Sequence, residues 1–180
     1  KRQTAALIGP SGAAYLDMAV MAPVHPRGHR TPVLIAGPDC ARLEGRMKAL
    51  GFDYAVAGCD IGAATSVKMV RSLFVKGLEA VTVQTLLAAR QANCFEEVYA
   101  SLSKSYPQLD WPNFALYQFD RVATHGVRRA AEMRESATTM AELGFDPGCN
   151  LARAIADLQQ SIGEIGWRDN RPDDPSEACS

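Results

Sequence analysis

The sequence predicts a short α/β segment followed by a longer, wholly helical segment. Residues 14–58 alternate strand-like apolar runs with one amphipathic helix, whereas the sequence after residue 61 has helical periodicity with only short breaks. A content of 47% hydrophobic residues and a formal net charge of −1 over 180 residues are those of an ordinary globular protein. We therefore expect an α/β domain over residues 1–61, a helical domain over residues 62–168 and a flexible polar tail over residues 169–180.

The α/β segment contains three predicted strands and one helix. The strands are expected over residues 14–21, 31–37 and 54–58, and the helix over residues 38–51, with Leu43, Met47 and Leu50 as its apolar stripe. Three strands cannot form a well-covered parallel sheet, and no G-x-G-x-x-G fingerprint occurs in the sequence. We therefore expect this segment to be the C-terminal part of a larger domain.

The helical segment begins with an unusually long predicted helix. It has no proline between Ile61 and Asn93 and would measure on the order of 45–50 Å at a rise of 1.5 Å per residue. Such a helix is usually packed by several others or crosses a subunit interface. Further helices are expected over residues 95–105, 112–124, 125–143 and 150–165.

Charge and composition argue against several classes of partner. The chain has no basic excess and no basic stripe with interleaved aromatic residues, so no nucleic-acid partner is expected. No apolar run reaches the ~18 residues of a membrane span, so no membrane partner is expected. The five cysteines are scattered and odd in number, which favours reduced thiols in a cytoplasmic protein without a metal site.

The most informative stretch of the sequence is Gly62–Ser72. The small residues that start its helix, Gly62 and Ala63 among them, would let an anion or a cofactor approach the free backbone N–H groups. Lys68 and Ser72 then share one helical face. Partial desolvation lowers the pKa of a lysine towards neutrality, which suits Lys68 to proton transfer. The alternative is an ordinary solvated surface lysine.

A second group of polar residues lies at the predicted start of the helix over residues 125–143. His125, Arg129 and Glu132 share a helical face, and Gly126 suggests a close backbone approach at a helix start. Earlier in the chain, Arg71 could bind a carboxylate or phosphate in bidentate fashion. The alternative for these residues is a set of ordinary surface ion pairs, worth ~0.3–0.5 kcal/mol each.

Several motifs resemble the β-hydroxyacid dehydrogenase superfamily, which includes 6-phosphogluconate and 3-hydroxyisobutyrate dehydrogenases. They are Asp17-Met-Ala-Val-Met-Ala-Pro23, the Gly62–Ser72 stretch with its continuation to Ala80, Leu109-Asp-Trp111 and His125-Gly-Val-Arg-Arg-Ala-Ala-Glu-Met133. The resemblance implies the C-terminal part of an NAD(P)-binding Rossmann domain, followed by a helical domain like the C-terminal domain of 6-phosphogluconate dehydrogenase. It also implies NADP or NAD as cofactor and a homodimer formed through the helices.

The resemblance assigns roles to individual residues of this chain. Lys68 falls on the family lysine that exchanges a proton with the substrate hydroxyl. Ser72 falls where the family usually has asparagine, and Arg71 where 6-phosphogluconate dehydrogenases have histidine. Met21 falls on the serine that holds the substrate carboxylate, a role that methionine cannot perform. The pair that contacts the cofactor falls near Glu132.

The family's substrate-anchoring residues are therefore only partly present. Ser72, Arg71, His125 and Arg129 are the candidates to bind the substrate, while Gly62, Ala63 and Glu132 are the candidates to bind the cofactor. The resemblance thus implies a substrate other than a plain 3-hydroxyisobutyrate-like acid.

The expected function is that of an NAD(P)-dependent oxidoreductase acting on a small hydroxy acid or a related alcohol. This chain would supply the acid–base lysine and the substrate and dimer domain, and would be inactive without a complete nucleotide-binding domain. The alternative is a non-catalytic helical dimerisation or ligand-binding module derived from the same family. A third possibility, a Schiff-base lysine of an aldolase or decarboxylase, lacks a matching barrel pattern.

Overall fold

The computed structural model describes residues 1–145, 147–167 and 172–179. The chain divides into two compact units, Lys1–Arg71 and Ser72–Ser180. The sequence predicts a boundary after residue 61, at the start of the long helix, whereas this division falls inside that helix.

The first unit is a small mixed sheet with one crossover helix. It consists of α1 (Arg2–Ile8), a 3-10 turn (Gly9–Ser11), β1 (Asp17–Val20), a second 3-10 turn (Gly28–Arg30), β2 (Val33–Ala36), α2 (Cys40–Ala49) and β3 (Tyr54–Gly58). The strand order is β1-β2-β3, with β1 antiparallel and β3 parallel to β2. The three predicted strands and the helix between the last two are confirmed, whereas α1 was not predicted.

The core of this sheet lies between β2 and α2. Val33 and Ile35 of β2 pack with Cys40 and Met47 of α2, because alternate residues of a strand and residues seven apart on a helix each face one side. Leu50, which the sequence assigns to the same apolar stripe, is 63% exposed. That assignment is wrong because α2 ends at Ala49 and Leu50 is its C-cap residue.

The helical unit is built from four helices. They are α3 (Ala63–Gln91), whose first turns belong to the first unit, α4 (Phe95–Ser105), α5 (Trp111–Glu142) and α6 (Leu151–Ile165). The predicted helices over residues 61–93, 95–105 and 150–165 are confirmed to within two residues at each end. The predicted break between residues 124 and 125 is wrong, since α5 is one continuous helix of 32 residues.

A close glycine-to-glycine contact between α5 and α6 explains why a glycine lies in the middle of α5. A Cβ atom on Gly126 would overlap the carbonyl oxygen of Gln159 and lie 2.8 Å from the Cα atom of Gly163. A Cβ atom on Gly163 would lie 2.7 Å from the Cα atom of Gly126. Both glycines are thus needed for two helices to approach each other closely, and Gly126 does not end a helix.

Helix α3 is also notable for its hydropathy. In the described part of the chain it is the one helix whose length and composition would allow it to cross a membrane, with a mean hydropathy of 1.2 over its most apolar window. Because 44% of that window is buried inside the protein, and because core helices pass the same test, this is weak evidence for a span.

The C-terminal tail is partly packed on the helical unit. The sequence predicts a flexible tail over residues 169–180, but Glu177–Cys179 form a 3-10 turn. Ala178 and Cys179 pack against the cluster formed by Leu86, Phe95 and Phe119, and burial raises the pKa of the Cys179 thiol to about 11. Residues 168–171 and 180 lie outside the described residues.

Candidate functional site

The N-terminus of α3 is capped by a carboxylate from the first strand. Asp17 Oδ2 accepts hydrogen bonds from the backbone N–H groups of Gly62 at 3.0 Å and Thr65 at 3.1 Å. The hydroxyl of Thr65 donates to Asp17 Oδ1 at 2.6 Å, and Lys1 Nζ lies 3.8 Å from the same oxygen. Asp17 is fully buried, so this cap is an internal contact of the fold.

This cap changes the interpretation of Gly62 and Ala63. The sequence predicts that the N–H groups of this helix start are free to bind an anion, but the N–H of Gly62 donates to Asp17 and that of Ala63 to the Asp60 carbonyl at 3.2 Å. A bound anion would be repelled by the buried carboxylate of Asp17, which already occupies this helix end. These residues therefore do not fit the phosphates of a dinucleotide. Nothing local in the sequence pairs Asp17 with a turn 45 residues away.

Lys68 lies in the second turn of α3 and is half-buried. Val67 and Val70 beside it are about half exposed, and Met69 is buried. Among the described residues Lys68 forms no ion pair, so no carboxylate side chain of this part of the chain holds its side-chain nitrogen. Arg71, one turn further along the helix, is exposed. The proposed chemistry of both residues remains a prediction.

In the helical unit, one face of α3 buries a row of polar side chains. Ser72, Lys76 and Glu79 are each less than a tenth exposed and follow one another at helical spacings of four and three. Charged side chains are rarely buried without partners. The partners of Lys76 and Glu79 come from α5 and α6.

The first partner is Arg129, which forms a buried ion pair with Glu79. Arg129 Nε donates to Glu79 Oε2 at 2.8 Å and Arg129 Nη2 donates to Glu79 Oε1, while Gln159 Nε2 donates to Glu79 Oε2 at 2.9 Å. The side chains of Glu79 and Arg129 are 2% and 8% exposed. Spacing along α3 alone favours an ordinary helix-surface charge at Glu79, and the burial of Glu79 shows that this interpretation is wrong. The guanidinium of Arg129 is bound in bidentate fashion, a geometry that competes with the predicted substrate-binding role.

The second contact joins the buried Lys76 to the partly exposed Glu132. Lys76 Nζ lies 3.0 Å from Glu132 Oε2, and Arg128 pairs with Glu132 Oε1. Burial lowers the pKa of Lys76, and the hydrogen bond to Glu132 opposes that shift. Glu132, the predicted cofactor residue, is thus held between two cations of the same unit.

His125 lies in the middle of α5 and not at a helix start, contrary to the prediction. Its side chain is half-buried. Burial, followed by the positive charges of Arg121 and Arg128, lowers the pKa of His125 below its ordinary value. The shift favours the neutral ring, which can both accept and donate a hydrogen bond.

Comparison with known proteins supports the fold. Residues 89–162 match a family described as a domain of unknown function (DUF1932). The chain is similar to the structure of a conserved hypothetical protein from Sinorhizobium meliloti 1021, with 32% identity and a TM-score of 0.80 over 91% of this chain and 54% of that one. Among curated proteins none matches this sequence.

A second solved structure connects this fold to a named class of enzymes. The chain is similar to MTH1747, a conserved protein of unknown function that is described as structurally similar to 3-hydroxyacid dehydrogenases, with 25% identity and a TM-score of 0.70. The match covers 92% of this chain and 63% of MTH1747, so the chain spans less than two thirds of either relative. With its small sheet, its helical unit and the matched domain, this chain is similar to the C-terminal portion of hydroxyacid dehydrogenase-like proteins.

Proposed function

We propose that this chain supplies an acid–base lysine, Lys68, to an NAD(P)-dependent oxidoreductase that acts on a small hydroxy acid or a related alcohol. The observation that carries the proposal is the state of Lys68: it is half-buried and forms no ion pair with any described residue. The likeness to a protein described as similar to 3-hydroxyacid dehydrogenases supports the reaction class.

The proposed role of Lys68 is to hold and move one proton. A neutral Lys68 amine would accept the hydroxyl proton of the substrate as it is oxidised, and the ammonium would return it in the reverse direction. NAD or NADP supplies hydride exchange when bound. Because Asp17 occupies the N-terminus of α3, we propose that the cofactor phosphates bind to residues other than Gly62 and Ala63.

The test is a substitution of Lys68 in a recombinant protein that contains this chain together with a nucleotide-binding domain. Turnover is measured by nicotinamide absorbance with a panel of small 2- and 3-hydroxy acids. Lys68→Met should lower kcat by a factor of about 10²–10⁴, the usual contribution of a general acid–base group. Lys48→Met is the matched control, because Lys48 is an exposed lysine of α2. Undiminished turnover of the Lys68→Met protein would remove the role.

Cofactor binding by the chain alone gives a second, independent test. NADPH fluorescence should show little binding to the 180-residue chain, and clear binding once the nucleotide-binding domain is present. Tight binding by the 180-residue chain would contradict the proposal that the cofactor is held mainly outside it.

A second candidate function is a non-catalytic helical dimerisation module. The observation in its favour is an exposed apolar row on α3, in which Phe74 is 72% exposed and Leu78 and Val81 follow at spacings of four and three. We propose that a second copy of the chain covers this row in either case. A stable dimer that binds no nicotinamide cofactor, even with the nucleotide-binding domain present, would favour the module over the enzyme.

A further inference from the structure

A groove between α5 and α6 lies apart from the residues discussed so far. It has a volume of about 360 Å³ and is lined by Arg134, Ala137 and Thr138 of α5 and by Arg153, Ala156 and Asp157 of α6. Ala137 and Ala156 are buried and form its floor, and the charged side chains form its walls. Its volume falls within the ~300–1,000 Å³ typical of small-molecule sites.

No interaction within α6 explains why an arginine lies at position 153. It lies in the first turn of α6, which contains no acidic residue, and a cation at the N-terminus of a helix opposes the helix dipole. Asp157 follows four residues later, but among the described residues the two form no ion pair. Arg153 is exposed, so burial does not account for it either.

Arg134, on the opposite wall, is also largely available. One of its terminal nitrogens donates to Gln160 Oε1 at 3.2 Å, and its side chain is exposed. A guanidinium carries five N–H donors, so donors remain for a ligand. The groove thus offers two guanidinium groups and one carboxylate; the hydroxyl of Thr138 already donates to the carbonyl oxygen of Arg134 at 3.2 Å.

We propose that this groove binds a small organic anion. Its carboxylate or phosphate would contact Arg134 and Arg153, because guanidinium groups bind planar or tetrahedral oxyanions with charge-assisted hydrogen bonds. An ammonium or hydroxyl group of the same molecule would donate to Asp157. The proposal does not rest on the oxidoreductase function, since no residue of the groove belongs to the Lys68 region or to the buried ion pairs.

The test is an NMR titration of the 180-residue chain with two probes, inorganic phosphate and O-phosphoserine. We expect saturable shifts of the backbone amides of Thr138, Arg153 and Asp157 with both probes. Arg134→Gln and Arg153→Gln should each weaken binding about tenfold or more, the effect of losing a hydrogen bond to a charged group. Arg46→Gln is the matched control, because Arg46 is an exposed arginine of α2 outside the groove.

A third substitution identifies the role of the carboxylate. Asp157→Asn should weaken binding of O-phosphoserine, which carries an ammonium group, and should not weaken binding of inorganic phosphate. Shifts that never saturate, or an affinity that Arg153→Gln leaves unchanged, would overturn the site. Equal weakening by Arg46→Gln would also overturn it, since it would indicate attraction to net charge alone.

Discussion

The Glu79–Arg129 pair shows how a single residue can be mistaken when its partner lies far away in the sequence. Glu79 lies on α3 and Arg129 on α5, 50 positions apart, and Gln159 of α6 completes the contact. Local spacing instead suggests that Glu79 pairs with Lys76 on the same helix. Burial reverses that interpretation, because a charge without water needs a direct partner.

We predict that Glu79→Gln destabilises the chain strongly. It leaves the Arg129 guanidinium buried without its counter-charge, a change that typically costs about 3–5 kcal/mol in the free energy of unfolding. Urea unfolding followed by circular dichroism measures this. Arg42→Gln is the control, since Arg42 is 62% exposed and its pair with Asp39 should contribute ~1 kcal/mol or less. Similar losses in both variants would contradict a buried pair.

A second prediction concerns the pKa of His125. Because burial and the charges of Arg121 and Arg128 lower this pKa, the unfolded chain binds a proton at higher pH than the folded chain. The stability that neutral His125 contributes is therefore complete above the unfolded value of about 6.5 and is lost as the pH falls through the folded pKa. An NMR titration of the ring should give a value below the ordinary one.

Arg121→Gln should raise the pKa of His125, because it removes the positive charge that lowers this pKa most. Arg42→Gln, in α2, should leave it unchanged. A pKa that stays the same or falls in Arg121→Gln would show that the flanking charge has no part in the shift.

At the scale of elements, the crossing of α5 and α6 depends on two glycines. We predict that Gly126→Ala lowers the free energy of unfolding by about 1–3 kcal/mol or more, because the added methyl group meets only backbone atoms of α6. Gly45→Ala in α2 is the matched control. A Cβ atom there meets nothing within 4 Å, so helix propensity should raise the stability by about 0.5–1 kcal/mol. Chemical denaturation measures the free energy of unfolding of both variants. An unchanged value in Gly126→Ala would contradict the close crossing of α5 and α6.

The same crossing explains which elements could be predicted from sequence. Helix α4 and strand β3 have the predicted bounds because their own periodicity and flanking residues define them. The sequence places His125 and Gly126 at a helix start, whereas both lie inside the continuous helix α5. Gly126 is required by its contact with Gly163. A tertiary contact of this kind cannot be recognised from the spacing of apolar residues in the surrounding sequence.

At the scale of the whole molecule, the resemblance to a family predicted more than the local patterns did. It identified the superfamily and the combination of a small sheet with a helical domain, both of which are confirmed. It could not show that Asp17 caps α3, or that Arg129 is bound by Glu79, because each depends on residues brought together only by folding. The roles of Lys68, Arg71, Ser72 and His125 remain predictions.

The proposed self-association concerns the molecule as a whole. If the proposed dimer forms, Phe74→Glu should raise its dissociation constant about tenfold or more, since Phe74 is the most exposed member of the apolar row on α3 and an aromatic anchor carries much of an interface. Light scattering coupled to size exclusion measures it. Leu50→Glu is the control, because Leu50 is an apolar residue that is 63% exposed at the C-cap of α2. A monomeric wild-type chain at high concentration would contradict the dimer.

The Asp17 cap also links the order of α3 to that of the sheet. An ordinary helix end frays by itself, because its first N–H groups bond only to water or to a neighbouring side chain. Here the N–H groups of Gly62 and Thr65 depend on a residue 45 and 48 positions earlier, within β1. During folding this contact closes a long loop, so the first turn of α3 gains its hydrogen bonds only once β1 is in place. In hydrogen exchange, the amides of Gly62 and Thr65 should therefore open together with those of the sheet.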